Sequence, residues 1–303
     1  MEITDKKLAH IQRTLDRIYD PPLLRNLIKN DPVEFPHQYK DPIDIEISGF
    51  IASALSFGRI GLFKPVIRKI LSLSNERLFD YVINFEPQKD REYFDNLYYR
   101  MCKGVDIACL IYILREVLRK HGSIRNLFYS CIDENRKAEV PYNHTLPLTK
   151  ERGGYNSPFS GINIRYVLNR FIETLREIDT TPVYGDNLHP RGLLQLLPSP
   201  VNGGPCKRLN MYLRWMVRPD DGIDFGLWDR ISPSILIIPL DTHIIRICKN
   251  LNMTTKKSPS WVMAEEITEN FRLLSPEDPL KYDFALCHLG VSGKWKEVLT
   301  DGA

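Results

Sequence analysis

The chain has 303 residues, 43% hydrophobic and 26% charged, a composition that excludes wholesale disorder and allows one large or two smaller domains with real cores. Its net charge of +3 neither requires nor excludes a nucleic-acid partner, so where the charge sits matters more than its sum. No apolar run approaches the ~20 residues of a bilayer-crossing helix, and the stretch Met1 to Lys7 lacks the apolar core of a signal peptide, so a cytoplasmic protein without membrane association is expected.

Taken in chain order, apolar residues recur at spacings of three and four, first at Leu8, Ile11, Leu15 and Ile18, then at Ile47, Phe50, Ile51, Ala54 and Leu55. Further helices are predicted around 61–73, 105–120, 123–132, 160–177, 205–217, 241–251, 259–273 and 279–289. The one β-like run, Ile235-Leu236-Ile237-Ile238, is closed by Pro239 and is too short to define a sheet. An all-α fold is expected. Polar and turn residues gather at 31–42, 135–158 and 198–205. The middle segment, with Gly153-Gly154-Tyr155-Asn156-Ser157-Pro158, reads as an insertion. Six cysteines (Cys102, Cys109, Cys131, Cys206, Cys248, Cys287) lack the close pairs of a zinc or iron–sulfur site, so no metal and no cofactor are expected.

Two segments carry the chemistry. Residues 190–214 read as helix, loop, helix, with Gly203-Gly204-Pro205 before the second helix and Lys207 in its first turn. Glycines let a backbone approach closely, and the free N–H groups of the following helix suit a phosphate. A lysine is unfavourable at the positive end of a helix dipole, so its placement there calls for another reason. The second segment, Ile238 to Arg246, sets Asp241 at the start of an amphipathic helix. Each feature has an ordinary reading: a Gly-Gly-Pro helix start, a solvated lysine, an Asp N-cap. Together, a lysine and a carboxylate suggest Schiff-base chemistry, because lysine attacks carbon only when a neighbouring group manages its proton.

Gly203-Gly204-Pro205-Cys206-Lys207-Arg208-Leu209-Asn210 resembles the second half of the helix-hairpin-helix of the HhH-GPD base-excision DNA glycosylases, Gly-Val-Gly-Arg-Lys-Thr-Ala-Asn, with Lys207 and Asn210 coinciding. Leu240-Asp241-Thr242-His243-Ile244-Ile245-Arg246 resembles that superfamily's Val-Asp-Thr-His-Val-x-Arg stretch, which carries its catalytic aspartate. Asp41 to Ser56 looks like its early helix, with Phe57 where a glutamine is usual. The chain is similar to a bacterial branch of the superfamily. Its Lys-to-Asp separation of 34 residues (207 to 241) is closest to that of archaeal 8-oxoguanine DNA glycosylases.

The resemblance implies a two-lobed helical fold with the hairpin at the interdomain cleft, one domain formed by 1–40 and 218–303 and the other by 41–217. It implies a bifunctional DNA glycosylase and abasic-site lyase, acting on double-stranded DNA that contains a lesion such as an oxidised purine, monomeric and nucleoid-associated when bound. Lys207 would be the nucleophile and Asp241 its proton manager. Gly203, Gly204, Arg208, Arg214 and Arg218 would grip the DNA backbone, with Lys64, Arg68 and Lys69 as a second basic group. The residues between hairpin and aspartate would line a base pocket: Trp215, Phe225 and Trp228 by stacking, Asp220, Asp221 and Asp224 as acceptors. Because no four-cysteine cluster follows Lys294, no iron–sulfur centre is expected. Two rivals predict other behaviour: a non-catalytic helix-hairpin-helix module binds DNA without product, and a helical interaction protein shows no salt-dependent DNA affinity.

Overall fold

The computed structural model describes residues 5–138, 161–185 and 191–300; the predicted insertion near 135–158 lies outside them, apart from 135–138 at a helix end. In chain order the α-helices of the first half are α1 Asp5–Ile18, α2 Pro21–Leu24, α3 Pro42–Leu55, α4 Ile60–Ser72, α5 Leu78–Ile83, α6 Pro87–Asp90, α7 Gly104–His121 and α8 Ile124–Lys137. They continue with α9 Ile164–Arg176, α10 Thr181–Tyr184, α11 Arg191–Leu196, α12 Lys207–Val217, α13 Thr242–Asn250, α14 Trp261–Leu274, α15 Asp283–Ser292 and α16 Trp295–Thr300. The fold is mostly helical. Ile235–Ile238 forms no strand; the strands among the described residues are β1 Tyr98–Tyr99 and β2 Cys102–Lys103, an antiparallel hairpin.

The described residues divide into two compact units, 5–28 with 161–164 and 200–300, and 29–138 with 165–185 and 191–199. Relative to the boundaries expected from sequence, 29–40, 161–164 and 200–217 fall in the other unit. Short 3-10 turns at Pro32–Glu34 and Pro36–Gln38 pack on α3, and the Arg214–Asp283 ion pair binds α12 to α15.

In the unit around α7, that helix is buried from Asp106 through Leu114, as expected of a helix apolar nearly all round. Helices α5, α8, α10 and α11 pack on it. Close approach by α11 is possible because residue 192 is glycine: a Cβ there would sit 2.0 Å from Asp106 Oδ2. Asp106 is itself held by the Lys103 N–H at 2.7 Å and the Tyr184 hydroxyl at 2.7 Å.

In the other unit α12 is buried from Arg208 to Val217. Its last carbonyls would be orphans. The chain after it turns back and supplies donors: Phe225 N–H to Trp215 O at 2.8 Å and Trp228 N–H to Met216 O at 2.9 Å. Asp221 shapes that turn, accepting from the N–H groups of Ile223 and Asp224. Gly222 is required there, at φ +82°, because a Cβ would meet Arg25 Nε at 1.8 Å. Helix α1 presents Ile11 and Leu15 as its buried stripe.

Candidate active site

Lys207 is the first residue of α12, half-buried, and follows Cys206 in the left-handed region at φ 44°. Such a conformation is costly for a residue with a Cβ and persists where surrounding structure enforces it. Enforcement is visible on both sides. Gly203 O accepts the Trp261 N–H at 2.8 Å, tying the loop to the start of α14, and Asn210 Nδ2 donates to Pro205 O at 3.1 Å. The space above Gly203 and Gly204 is open: a Cβ on either would meet nothing within 4 Å. The Lys207 amine donates to the Met211 thioether at 3.2 Å, a weak acceptor, and no ion pair holds it among the described residues.

Asp241 caps α13 as the sequence suggests. Its Oδ1 accepts from the N–H groups of His243 and Ile244, both at 2.8 Å. The other oxygen, Oδ2, accepts from the Cys287 thiol at 3.1 Å. The carboxylate is half-buried.

Helix α15 links the two segments. Asp283, Cys287 and Gly290 lie at i, i+4 and i+7 and so form one stripe on it. Asp283 binds Arg214 of α12 at 2.6 Å, Cys287 meets Asp241, and Gly290 packs on His243 so closely that a Cβ would lie 2.6 Å from the His243 Cβ. Arg246 adds a bond to Gly290 O at 3.2 Å. On α12, Lys207, Met211 and Arg214 have the same i, i+4, i+7 spacing. The helix of the lysine and the cap of the aspartate are therefore fixed against a common partner. Electrostatics agree: burial pushes the Asp283 carboxyl up to about 6 against the pull of Arg214, and the charges of Asp241 and Asp224 push in the same direction. His243 shares its ring Nδ1 with Arg246 at 3.2 Å and is a packing residue of the α13–α15 contact. Among the described residues no group of three or more His, Cys, Asp or Glu is arranged to hold a metal ion.

The expected DNA-backbone arginines need correction. Arg208, Arg214 and Arg218 are all buried, with 8%, 3% and 2% exposure. Arg214 pairs with Asp224 at 3.2 Å and Asp283 at 2.6 Å. Arg218 pairs with Asp224, with Asp278 at 2.9 Å and with Asp221 at 3.3 Å. Burial works against the Arg218 charge, but Asp224 and Asp278 outweigh it and hold the guanidinium firmly protonated. Desolvated, paired guanidinium groups are internal struts rather than phosphate ligands. Of the backbone-gripping set, Gly203 and Gly204 remain accessible. The second basic group is also partly spent, since Glu34 takes Lys64 at 2.6 Å and Arg68 at 3.1 Å, while Lys69 is exposed.

The expected base pocket is corrected in the same way. Trp215 and Trp228 are core residues at 0% and 1% exposure, Trp228 standing edge-on to Tyr212 with centroids 5.5 Å apart. Asp224 is wholly buried between Arg214 and Arg218, and Asp221 is committed to Arg218, Tyr19 and the turn. Asp220 is exposed and accepts the Gly222 N–H at 2.8 Å; Phe225 is half-buried. The stretch is a C-terminal cap of α12 joined to a buried ion-pair network.

Sequence reasoning missed a surface in the α7 unit. Beside the β1–β2 hairpin, Tyr98 is 67% and Met101 48% exposed, next to Ile60 at 40% and Leu62 at 60%. Arg59, Arg100 and Lys103 are exposed there too, and residues 56–63 and 98–103 contain no acidic side chain. The hairpin is locked in place: the Tyr99 hydroxyl donates to Phe57 O, and the Arg100 guanidinium lies 5.8 Å from the Phe57 ring centroid. Gly58, at φ +85°, is needed because a Cβ would meet Arg100 Nη1 at 2.7 Å. Two-residue strands leave no alternation to read, which is why the hairpin escaped notice. A cavity of about 710 Å³ in this unit is lined by residues including Tyr39, Asp41, Asp44, Asn75 and Arg68 of the second basic group; neither Lys207 nor Asp241 lines it.

Against known proteins, the model of a family described as a protein of unknown function (DUF2400) matches residues 31–292. No curated protein and no solved structure matches the chain.

Proposed function

The chain belongs to the DUF2400 family, and for it we propose the activity of a base-excision DNA glycosylase with abasic-site lyase activity, on an HhH-GPD-like fold. The observation that carries this reading is the arrangement of Lys207 and Asp241. The lysine amine is half-buried and unpaired by any carboxylate among the described residues, and α15 fixes its helix and the cap of the aspartate to one partner. A solvated lysine and an isolated helix cap need no such common support.

In the proposed reaction the neutral Lys207 amine attacks C1′ of the deoxyribose as the bond from C1′ to the base breaks, and the base leaves with the glycosidic electron pair and a proton. Opening of the sugar ring then gives an imine between Lys207 and C1′. Loss of a C2′ proton expels the 3′ phosphate by β-elimination, and hydrolysis frees the lysine. Asp241 takes the ammonium proton and stabilises positive charge on the sugar. Its Oδ2 serves this purpose, since Oδ1 is saturated by two backbone donors. The open space above Gly203 and Gly204 suits a phosphodiester at the start of α12. The exposed basic and apolar surface at Tyr98, Arg100 and Met101 has the composition of a nucleic-acid contact, with π faces for bases and cations for phosphates.

The test uses duplexes carrying a panel of damaged bases or an abasic site, incubated with protein and borohydride, which reduces the imine to a stable amine. Wild type is expected to form a covalent adduct, Lys207→Gln none, and Asp241→Asn an adduct formed far more slowly. Duplex binding without any adduct would favour a non-catalytic helix-hairpin-helix module, and the absence of salt-dependent binding a helical interaction protein.

A further inference from the structure

We infer that Cys287 is a positioning residue for Asp241, its thiol orienting the carboxylate oxygen that handles the lysine proton. The inference rests on the lyase reading above and adds a residue to it. Three observations carry it. Asp241 Oδ1 is fully used as the helix cap by two backbone N–H groups at 2.8 Å, so any catalytic work falls to Oδ2. The donor at Oδ2 is the Cys287 thiol at 3.1 Å, and because a carboxylate oxygen has two lone pairs, this bond leaves one for a proton. Cys287 is also not free to wander. It sits between Asp283, clamped to Arg214 at 2.6 Å, and Gly290, in van der Waals contact with His243, on the same stripe of α15.

The remaining cysteines among the described residues are buried, whereas Cys287 is half-buried. A buried thiol packs as a small apolar group. Cys287 instead spends its S–H on a carboxylate at the edge of the core. Asp241 from the α13 cap faces it directly; Asp283 lies one turn back on α15, and Arg246 of α13 reaches the Gly290 carbonyl three residues on. Removing the thiol leaves Asp241 capped, hence folded, but rotationally less confined.

The experiment measures single-turnover borohydride trapping on an abasic-site duplex for wild type, Cys287→Ala and Cys287→Ser, alongside duplex affinity. Cys287→Ala is expected to slow trapping about fivefold, the factor that one modest hydrogen bond amounts to, with affinity unchanged; Cys287→Ser, which keeps a donor, recovers most of the rate. Trapping by Cys287→Ala at the wild-type rate overturns the inference. So does equal slowing of the Ala and Ser variants, which would mark a packing role. If wild type itself forms no adduct, the lyase reading fails and this inference falls with it, an outcome distinct from the other two. Iodoacetamide labelling of Cys287, followed by peptide mass spectrometry, checks the contact without activity: Asp241→Asn should accelerate it by removing the charge that disfavours the thiolate, and an unchanged rate counts against the contact.

Discussion

Replacing Arg218 with methionine separates a buried strut from a DNA ligand. The Arg218 side chain is 3% exposed and pairs with Asp224 at 0% and Asp278 at 21%. Breaking a buried ion pair from one side typically costs about 3–5 kcal/mol, because the abandoned charge stays desolvated. Here the lower end applies. Asp224 keeps Arg214 at 3.2 Å, and Asp278 is open enough to regain water. A loss of about 3 kcal/mol lowers Tm by roughly 6–12 °C at 2–4 °C per kcal/mol for a domain of this size. Arg218→Met should therefore melt well below wild type, while the slope of log duplex affinity against log salt stays as it was. Adding Asp224→Leu should recover part of the loss, since removing both partners abolishes the uncompensated charge. If Arg218→Met keeps the wild-type Tm and its salt slope falls by about one, the signature of a lost phosphate contact, the buried-network account is wrong.

Substitutions at two further positions separate structural from chemical roles. Asp241→Ala removes the α13 cap and should cost about 1 kcal/mol in denaturant titration, whereas Asp241→Asn keeps a capping oxygen and should cost only a few tenths; equal stability losses in the two would show that the cap bonds are not formed. Asp283 gives a pH test. Burial raises its folded carboxyl from 3.8 to about 6, so the native state holds a proton that the unfolded chain releases. Stability from this group is thus full below pH 3.8 and lost as pH rises through about 6. Relative to Asp283→Asn, wild type should lose stability across that window; parallel curves, or the opposite slope, would contradict the assignment.

Much of the local structure was legible because it is written in short-range chemistry. Leu8, Ile11, Leu15 and Ile18 mark a helix by spacing, Asp241 a cap by residue type, and the paired glycines the loop before α12. The roles of Arg214 and Arg218 were not. On a helix they read as a basic stripe, and their carboxylate partners arrive from Asp224, Asp278 and Asp283, the last 69 positions beyond Arg214. Charge on an isolated segment cannot say whether its counter-ion will be an internal aspartate or an external phosphate. The same limit applies to Trp215 and Trp228, aromatic enough for a base pocket yet used to fill the core around α12. Cys287 carried no sequence signal beyond its wide spacing, and acquires meaning only where α15 brings it to Asp241.

The most direct measurement locates the covalent bond. After borohydride treatment of wild-type protein with an abasic-site duplex, followed by nuclease and protease digestion, mass spectrometry should find the deoxyribose remnant on the peptide containing Lys207. A remnant on a different lysine, or none, would contradict the claim that Lys207 and Asp241 form the catalytic pair.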